Sequence, residues 1–291
     1  MSGILDLVGN TPLIELKKIP QNKNVTIYAK LEGNNPGGSV KDRAAYGMIK
    51  HAINSGILIP GSTKLIEATS GNTGIALALI ANLFGIDIEL AMPEDSTRER
   101  ILTMKAFGAK VTLTQTMESA IDYANEQVAK GGYVMLNQFE NPNNPLIHYQ
   151  TTGPEIWRDT NTTITHFVSA MGTTGTIMGV SKFLKEQNAA IQIIGCQPKD
   201  NARIPGIRKW SEAYIPKIFD PKKVDRIIEL TDTDASIMAK RLAKEEGIFC
   251  GMSSGGAVHA AVQLSNELKQ GVIVCIICDR GDRYLSSNLF D

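Results

Sequence analysis

The feature that most restricts this chain is an alternation of short, strand-like apolar runs with longer, helix-like ones, kept up almost from end to end. Residues 26–31 read as a strand and 41–54 as a helix, and 64–68 with 72–84 repeat the pair. The pattern continues through 86–92, 96–107, 110–114, 117–130 and 133–136. After Pro142 and Pro145 it resumes at 165–170, 175–186 and 192–197, loses regularity over 201–224, and closes with helices at 232–246 and 253–268 and a strand from Val272. Strands that alternate with helices need crossover connections, so the sheets must be largely parallel and covered on both faces. The expected fold class is α/β, doubly wound. The helix from Asn72 supports this, because Ile75, Ala76, Leu77, Ala78, Leu79, Ile80 and Ala81 leave it no polar face and place it inside the protein.

Composition excludes several function classes. A chain of 291 residues with 43% hydrophobic and 21% charged residues can bury one large core or two ordinary ones. Lys plus Arg (30) equals Asp plus Glu (30), leaving no basic excess for nucleic acid or an anionic membrane. The first residues lack a cationic stretch followed by an apolar run, so no signal peptide is expected. The longest apolar run near the C-terminus, 272–278, falls far short of the roughly 20 residues a spanning helix needs. Four cysteines (196, 250, 275 and 278) are too sparse for a disulfide scaffold and fit a reducing cytoplasm. Cys275 and Cys278 lie on one predicted strand, and positions three apart point to opposite faces, so they cannot clamp one metal. His51, His148, His166 and His259 form no ligand pair, and no metal site is expected.

Four segments could carry chemistry. In Asn34-Asn-Pro-Gly-Gly-Ser39-Val-Lys41-Asp42-Arg43 a turn leads into a helix that Ser39 and Asp42 could cap as a box. Lys41 then lies in the first helical turn, where the dipole disfavours a second positive charge. Taken alone, that pattern also describes a surface lysine beside a capped helix. Glu67-Ala-Thr69-Ser70-Gly71-Asn72-Thr73 joins a strand to the buried helix and suits a carboxylate at a helix N-terminus. Gly172-Thr-Thr-Gly175-Thr176 has the geometry of a phosphate cup, without the lysine of a P-loop or the spacing of a dinucleotide fingerprint. Gly251-Met-Ser253-Ser254-Gly255 matches the nucleophile elbow of serine hydrolases. That reading fails, because the one later histidine, His259, lies on the same predicted helix. Arg280-Gly281-Asp282 contains an adhesion tripeptide and is treated as chance.

Together these segments resemble the cysteine synthases, fold-type II pyridoxal-phosphate enzymes, and within them the B-type branch. The likeness runs from Gly9-Asn-Thr-Pro-Leu13 through Lys30 to Pro36, Ser39 to Arg43, Thr69 to Thr73, Gln138-Phe139, Thr152 to Trp157, Gly172 to Thr176 and Gly251 to Gly255, and ends at Cys278 to Ser286. It spans almost the whole chain, in the family's order. The resemblance implies two doubly wound α/β domains: residues 35–145 as a smaller, mobile domain on the substrate side, and 1–34 plus 146–291 as the larger, phosphate-binding one. The Asn- and Pro-rich segment 141–145 is the boundary candidate.

The resemblance also implies roles. Lys41 carries pyridoxal phosphate as a Schiff base and shuttles the proton at the substrate Cα. Asn72 meets the cofactor's ring hydroxyl, and Gly172, Thr173, Thr174, Gly175 and Thr176 cradle its phosphate. Ser253 faces the pyridine nitrogen, with Ser254 the second choice. Thr69, Ser70, Thr73 and Gln138 hold the substrate carboxylate. Arg208, Trp210 and Cys278 line the sulfur-donor side, with Lys209 adding positive potential where the family often has a second arginine. The implied reaction is β-replacement on O-acetylserine (or O-phosphoserine) by sulfide or thiosulfate, giving cysteine or S-sulfocysteine, in a cytoplasmic homodimer. A cystathionine β-synthase-like or serine/threonine dehydratase-like activity, or an idle scaffold for serine acetyltransferase, remain the alternatives.

Overall fold

Secondary structure follows the alternation closely. A computed structural model describes residues 3–69, 71–287 and 289–290. In chain order the elements are β1 (Leu13–Glu15), β2 (Val25–Leu31), α1 (Lys41–Asn54), β3 (Lys64–Ala68), α2 (Asn72–Leu83), β4 (Asp87–Pro93), α3 (Arg98–Ala106), β5 (Lys110–Thr114), α4 (Met117–Ala129) and β6 (Tyr133–Val134). They continue as α5 (Asn143–Ile147), α6 (Gly153–Asp159), β7 (His166–Ala170), α7 (Gly175–Gln187), β8 (Gln192–Pro198), β9 (Arg226–Leu230), α8 (Asp232–Arg241), α9 (Met252–Glu267) and β10 (Gly271–Ile277).

The strands form two sheets. One has the order β5-β4-β3-β6 and is parallel throughout. The other has the order β1-β2-β10-β7-β8-β9 and is parallel except at the β1–β2 edge. β10 comes last in sequence but sits inside its sheet, with Cys275 opposite both Ala29 and Val168. Each sheet has apolar clusters on both faces. Cys275 packs in one face of the six-stranded sheet and Cys278 against the other, as the strand period requires. Helix α2 is buried from Thr73 to Ala81 and packs with α1 over β3 and β4, where its apolar surroundings need no polar face.

Four local features differ from the reading of the sequence. The capping box at α1 does not form: Val40 occupies the cap position, Ser39 Oγ accepts only a long 3.3 Å bond from Lys41 N, and Asp42 instead accepts from Gly37 N. The strands β1 and β9 went unread because one has three residues and the other is a charged edge with Arg226 and Glu229 outward. Residues 143–159 are helical almost throughout, with a π-helical turn over His148–Thr152 between α5 and α6. Pro145 interrupts the pattern in sequence, yet it lies in the first turn of α5, where its missing N–H costs nothing, and Pro154 follows directly on the π-helical turn. Finally, α8 ends in a second π-helical turn at Leu242–Glu246, stopped by Gly247 at φ +71°.

Candidate active site

The site lies at the carboxyl ends of β3, β7 and β10, where open α/β sheets bind their ligands. Two helices, α2 and α7, start there directly after loops rich in Thr and Gly, and α1 starts with Lys41 itself. A cavity of about 910 Å³ opens between them, walled by Lys41, Thr69, Asn72, Thr73, Gln138, Gly172, Thr173, Arg208 and Trp210. A smaller inner pocket of about 40 Å³ shares Lys41, Asn72, Gly172 and Thr173 and adds Thr174, Thr176, Ser253 and Cys278. All the described candidates named above therefore wall these two spaces, except Gly175 and Ser254. Ser70 lies outside the described residues.

Gly175 serves by its size. A Cβ there would sit 2.0 Å from Asn144 Oδ1, so only glycine lets Asn144 pack against the start of α7. The loop before it is held from several sides. Asn144 Nδ2 donates to Thr173 Oγ1 at 3.2 Å, Trp210 Nε1 donates to the Gly172 carbonyl at 2.9 Å, and Thr174 takes the left-handed φ of +71° that turns the chain into the helix. Thr176 Oγ1 lies 3.3 Å from His148 Nε2, while His148 Nδ1 meets Thr152 Oγ1 at 2.9 Å. Burial first, and then the positive charge of Arg43, pushes His148 down to about 3, so it stays neutral. Gly206, at φ +87°, brings its carbonyl against Gly172 and its Cα against Ser253. With Arg208 N donating to the Met171 carbonyl at 2.8 Å, this packs residues 204–210 onto the phosphate-type loop.

Two neighbouring serines part company here. Ser254 is fully buried and its Oγ accepts from Cys278 N at 2.9 Å, so it is spent on β10. Ser253 instead walls the inner pocket. Cys278 beside it is pushed up to about 11 by burial, against the opposing pull of Lys41, so its thiol is protonated at neutral pH and acts as lining.

On the other side of the cavity Thr73 Oγ1 donates to Gln138 Oε1 at 2.7 Å. Asn72 is clamped at both ends: its Nδ2 donates to Asp279 Oδ2 at 2.7 Å and its Oδ1 accepts from Arg283 at 2.5 Å. Arg283 also donates to the Gly37 carbonyl, and Tyr284 donates to Asp279 at 2.6 Å. The sequence reading missed these supports, along with Asn144 and His148. The Asn/Pro cluster at 141–145 contains Asn144, and the likeness over Cys278 to Ser286 contains Asp279, Arg283 and Tyr284, but neither signals these bonds.

One assignment needs correction. Lys209 ion-pairs with Asp200 and Glu229, both at 2.8 Å, so its charge is spent locally and adds little positive potential to the cavity. Arg208 is exposed, with its guanidinium 5.4 Å from the Trp210 ring.

These residues fit pyridoxal phosphate. An amine on α1 faces the same pocket as a Gly/Thr loop at the N-terminus of the 13-residue helix α7, which suits a phosphate. Glycines stand where any Cβ would press on the cradle: one at Gly172 would meet the Gly206 carbonyl at 2.9 Å.

Known proteins resemble this chain over nearly its whole length. The family model described as "Pyridoxal-phosphate dependent enzyme" matches residues 4–279. The chain is 55% identical to a cysteine synthase B of Pseudomonas aeruginosa, over 99% of this chain and 97% of that one. It is 51% identical to the cysteine synthase B of Escherichia coli, over 100% and 96%. The crystal structure of a cysteine synthase from Entamoeba histolytica superposes with a TM-score of 0.94 at 39% identity, covering 100% of this chain and 90% of that one.

Proposed function

The chain belongs to the family of pyridoxal-phosphate dependent enzymes, and from that premise we propose that it makes L-cysteine by replacing the acetate of O-acetylserine with a sulfur nucleophile. The observation that carries this reading is Lys41, at the first position of α1, sharing one pocket with the Gly172–Thr176 loop and Ser253.

When bound, pyridoxal phosphate supplies an electron sink for the pair left on the substrate Cα as its proton departs. Lys41 Nζ takes that proton and later returns it. The main-chain N–H groups at the start of α7, with Thr173, Thr174 and Thr176, hold the phosphate. Asn72, oriented by Asp279 and Arg283, presents its amide to the ring hydroxyl. Ser253 would meet the ring nitrogen with a neutral hydroxyl, a partner that does not require that nitrogen to be protonated and so would favour elimination over transamination. Thr69, Ser70, Thr73 and Gln138 receive the substrate carboxylate, the Thr73–Gln138 bond having set the two side chains against each other.

The sulfur nucleophile enters past Arg208, Trp210 and Cys278, and both sulfide and thiosulfate fit the proposal. Arg208 carries the cationic role there, since Lys209 is paired with Asp200 and Glu229. The four-stranded sheet with α1 to α4 forms the core of a smaller, mobile domain over 35–145, closing on the larger one. All four cysteines are free, which suits a cytoplasmic transferase, and a homodimer completes the proposal.

Steady-state assays of O-acetylserine against sulfide and thiosulfate test this directly. Lys41→Ala is expected to abolish turnover and the yellow colour of the lysine-linked cofactor, while the phosphate loop still retains the cofactor. Cysteine formation near the wild-type rate in that variant overturns the mechanism. Arg208→Ala is expected to lower kcat/KM for thiosulfate about tenfold to a hundredfold, the cost of losing one hydrogen bond to a charged group, and to spare sulfide. Equal losses for both donors move the sulfur site elsewhere.

A further inference from the structure

Glu67, on β3, is an expensive residue for its place. Its neighbours Leu65, Ile66 and Ala68 are buried apolar side chains, and Glu67 itself is only 4% exposed. Burial pushes its carboxyl up to about 7, against the pull of the main-chain N–H groups of Asn137, Gln138 and Leu136. An apolar side chain would avoid that cost.

What the carboxylate holds is a short piece of main chain. Glu67 Oε2 accepts from Asn137 N at 3.3 Å, and Asn137 takes a left-handed φ of +51°, with its own Oδ1 accepting from Phe139 N at 3.2 Å to close the turn. The next residue is Gln138. Its side chain takes the hydroxyl of Thr73, and its main-chain carbonyl accepts from Asn144 Nδ2 at 2.8 Å, the same amide that reaches the Thr173 hydroxyl. Segment 136–138 is thus fixed by Glu67 on one side and by Asn144 on the other, with Gln138 between them.

We propose that Glu67 is a positioning residue for substrate binding, holding the main chain at 136–138 so that Gln138 stands against Thr73 and shapes the pocket for the α-carboxylate of the amino-acid substrate. This rests on the reading of Thr69, Thr73 and Gln138 as that pocket. Glu67 touches neither substrate nor cofactor. Its effect therefore falls most on capture of the amino-acid substrate, when the carboxylate first enters that pocket, and least on attack by the sulfur nucleophile.

The test uses the holoenzyme and separates hydrogen bonding from volume. Glu67→Met fills the space without an acceptor, whereas Glu67→Gln keeps one. Glu67→Met is expected to raise KM for O-acetylserine about threefold to tenfold, with kcat/KM for sulfide and cofactor content unchanged. Glu67→Gln should restore most of the loss. Glu67→Asp draws the carboxylate back by one methylene and is expected to fall between them, which keeps the test available should the Met variant fail to fold. Equal behaviour of the Met and Gln variants, a wild-type KM in the Asp variant, or parallel losses in both half-reactions overturn the proposal. Gln138→Ala is the control. If it raises KM for O-acetylserine and Glu67→Met does not, the proposal alone fails. If Gln138→Ala has no effect, the pocket reading fails and takes the proposal with it.

Discussion

Ser253 and Ser254 have the same chemistry and stand one peptide apart, yet α9 turns them through about 100° and gives them different work. Ser254 satisfies the Cys278 N–H inside the protein. Ser254→Ala is therefore expected to cost about 1–3 kcal/mol of stability, measured by denaturant melts, with the absorbance of the bound cofactor unchanged. Ser253→Ala should do the reverse, shifting that absorbance at little cost in stability. Burial also governs His148. Its folded value of about 3 lies below the ordinary 6.5, so the unfolded chain takes up a proton first as the pH falls. The stability that neutral His148 contributes is present above pH 6.5 and drains away below it, by about 2 kcal/mol at pH 5. His148→Asn should lack this slope. The stability gap between the two proteins is expected to narrow from pH 7 to pH 5, and a constant gap would mean that His148 is not held neutral.

At the scale of elements, α1 is held by its third residue rather than by a capping box. Arg43 is fully buried and donates to Glu32 at 2.8 Å and to Glu155 at 2.7 Å, and Lys30 joins Glu155 at 2.8 Å. Burial works against ionising Glu32 and Glu155, but the Arg43 guanidinium outweighs it and holds both carboxyls low, Glu155 at about 2. The network ties the start of α1 to the end of β2 and to α6, which fixes the base from which Lys41 projects. Removing one partner of a buried ion cluster strands the others. Arg43→Ala is accordingly expected to cost about 3–5 kcal/mol in urea unfolding, far more than the fraction of a kcal/mol expected for Lys130→Ala at the exposed Lys130–Glu126 pair. Both variants showing the same small loss would dismiss the anchor.

For the molecule as a whole, the chain beyond β10 acts as a strap between the two sheets' layers. Asp279 and Arg283 grip Asn72 at the head of α2, Ser286 donates to Glu99 on α3 at 2.7 Å, and Val40 N donates to the Cys278 carbonyl at 2.8 Å. Arg283→Met keeps most of the bulk and removes the bonds to Asn72 and Gly37. Hydrogen exchange at residues 37–40 and at the head of α2 is expected to quicken together in that variant, while the strands of the six-stranded sheet keep their protection. Quickening spread evenly over the chain would mean general destabilisation instead.

How much of this was legible follows from range. The doubly wound class showed in the sequence because alternation of short apolar runs and helical periods is local, and each run reports its own burial. Lys41, Asn72, the Gly172–Thr176 loop and Ser253 could be named as candidates because helix N-termini after turn-rich loops are written in consecutive residues, and the family's motifs repeat them in order. The failed capping box shows where that local legibility stops: Asp42 had a second acceptor role with Gly37 that no spacing rule reveals. Lys209 counted as a free cation until Asp200 and Glu229 were brought beside it. Glu67, Asn144, His148 and Arg283 act through partners that in most cases lie dozens of residues or more away. Local pattern determined which elements form and which residues can do chemistry. Only the packed chain decided which of them face the cavity and what holds them there, because a hydrogen bond or an ion pair depends on distance in space, and sequence separation does not set that distance.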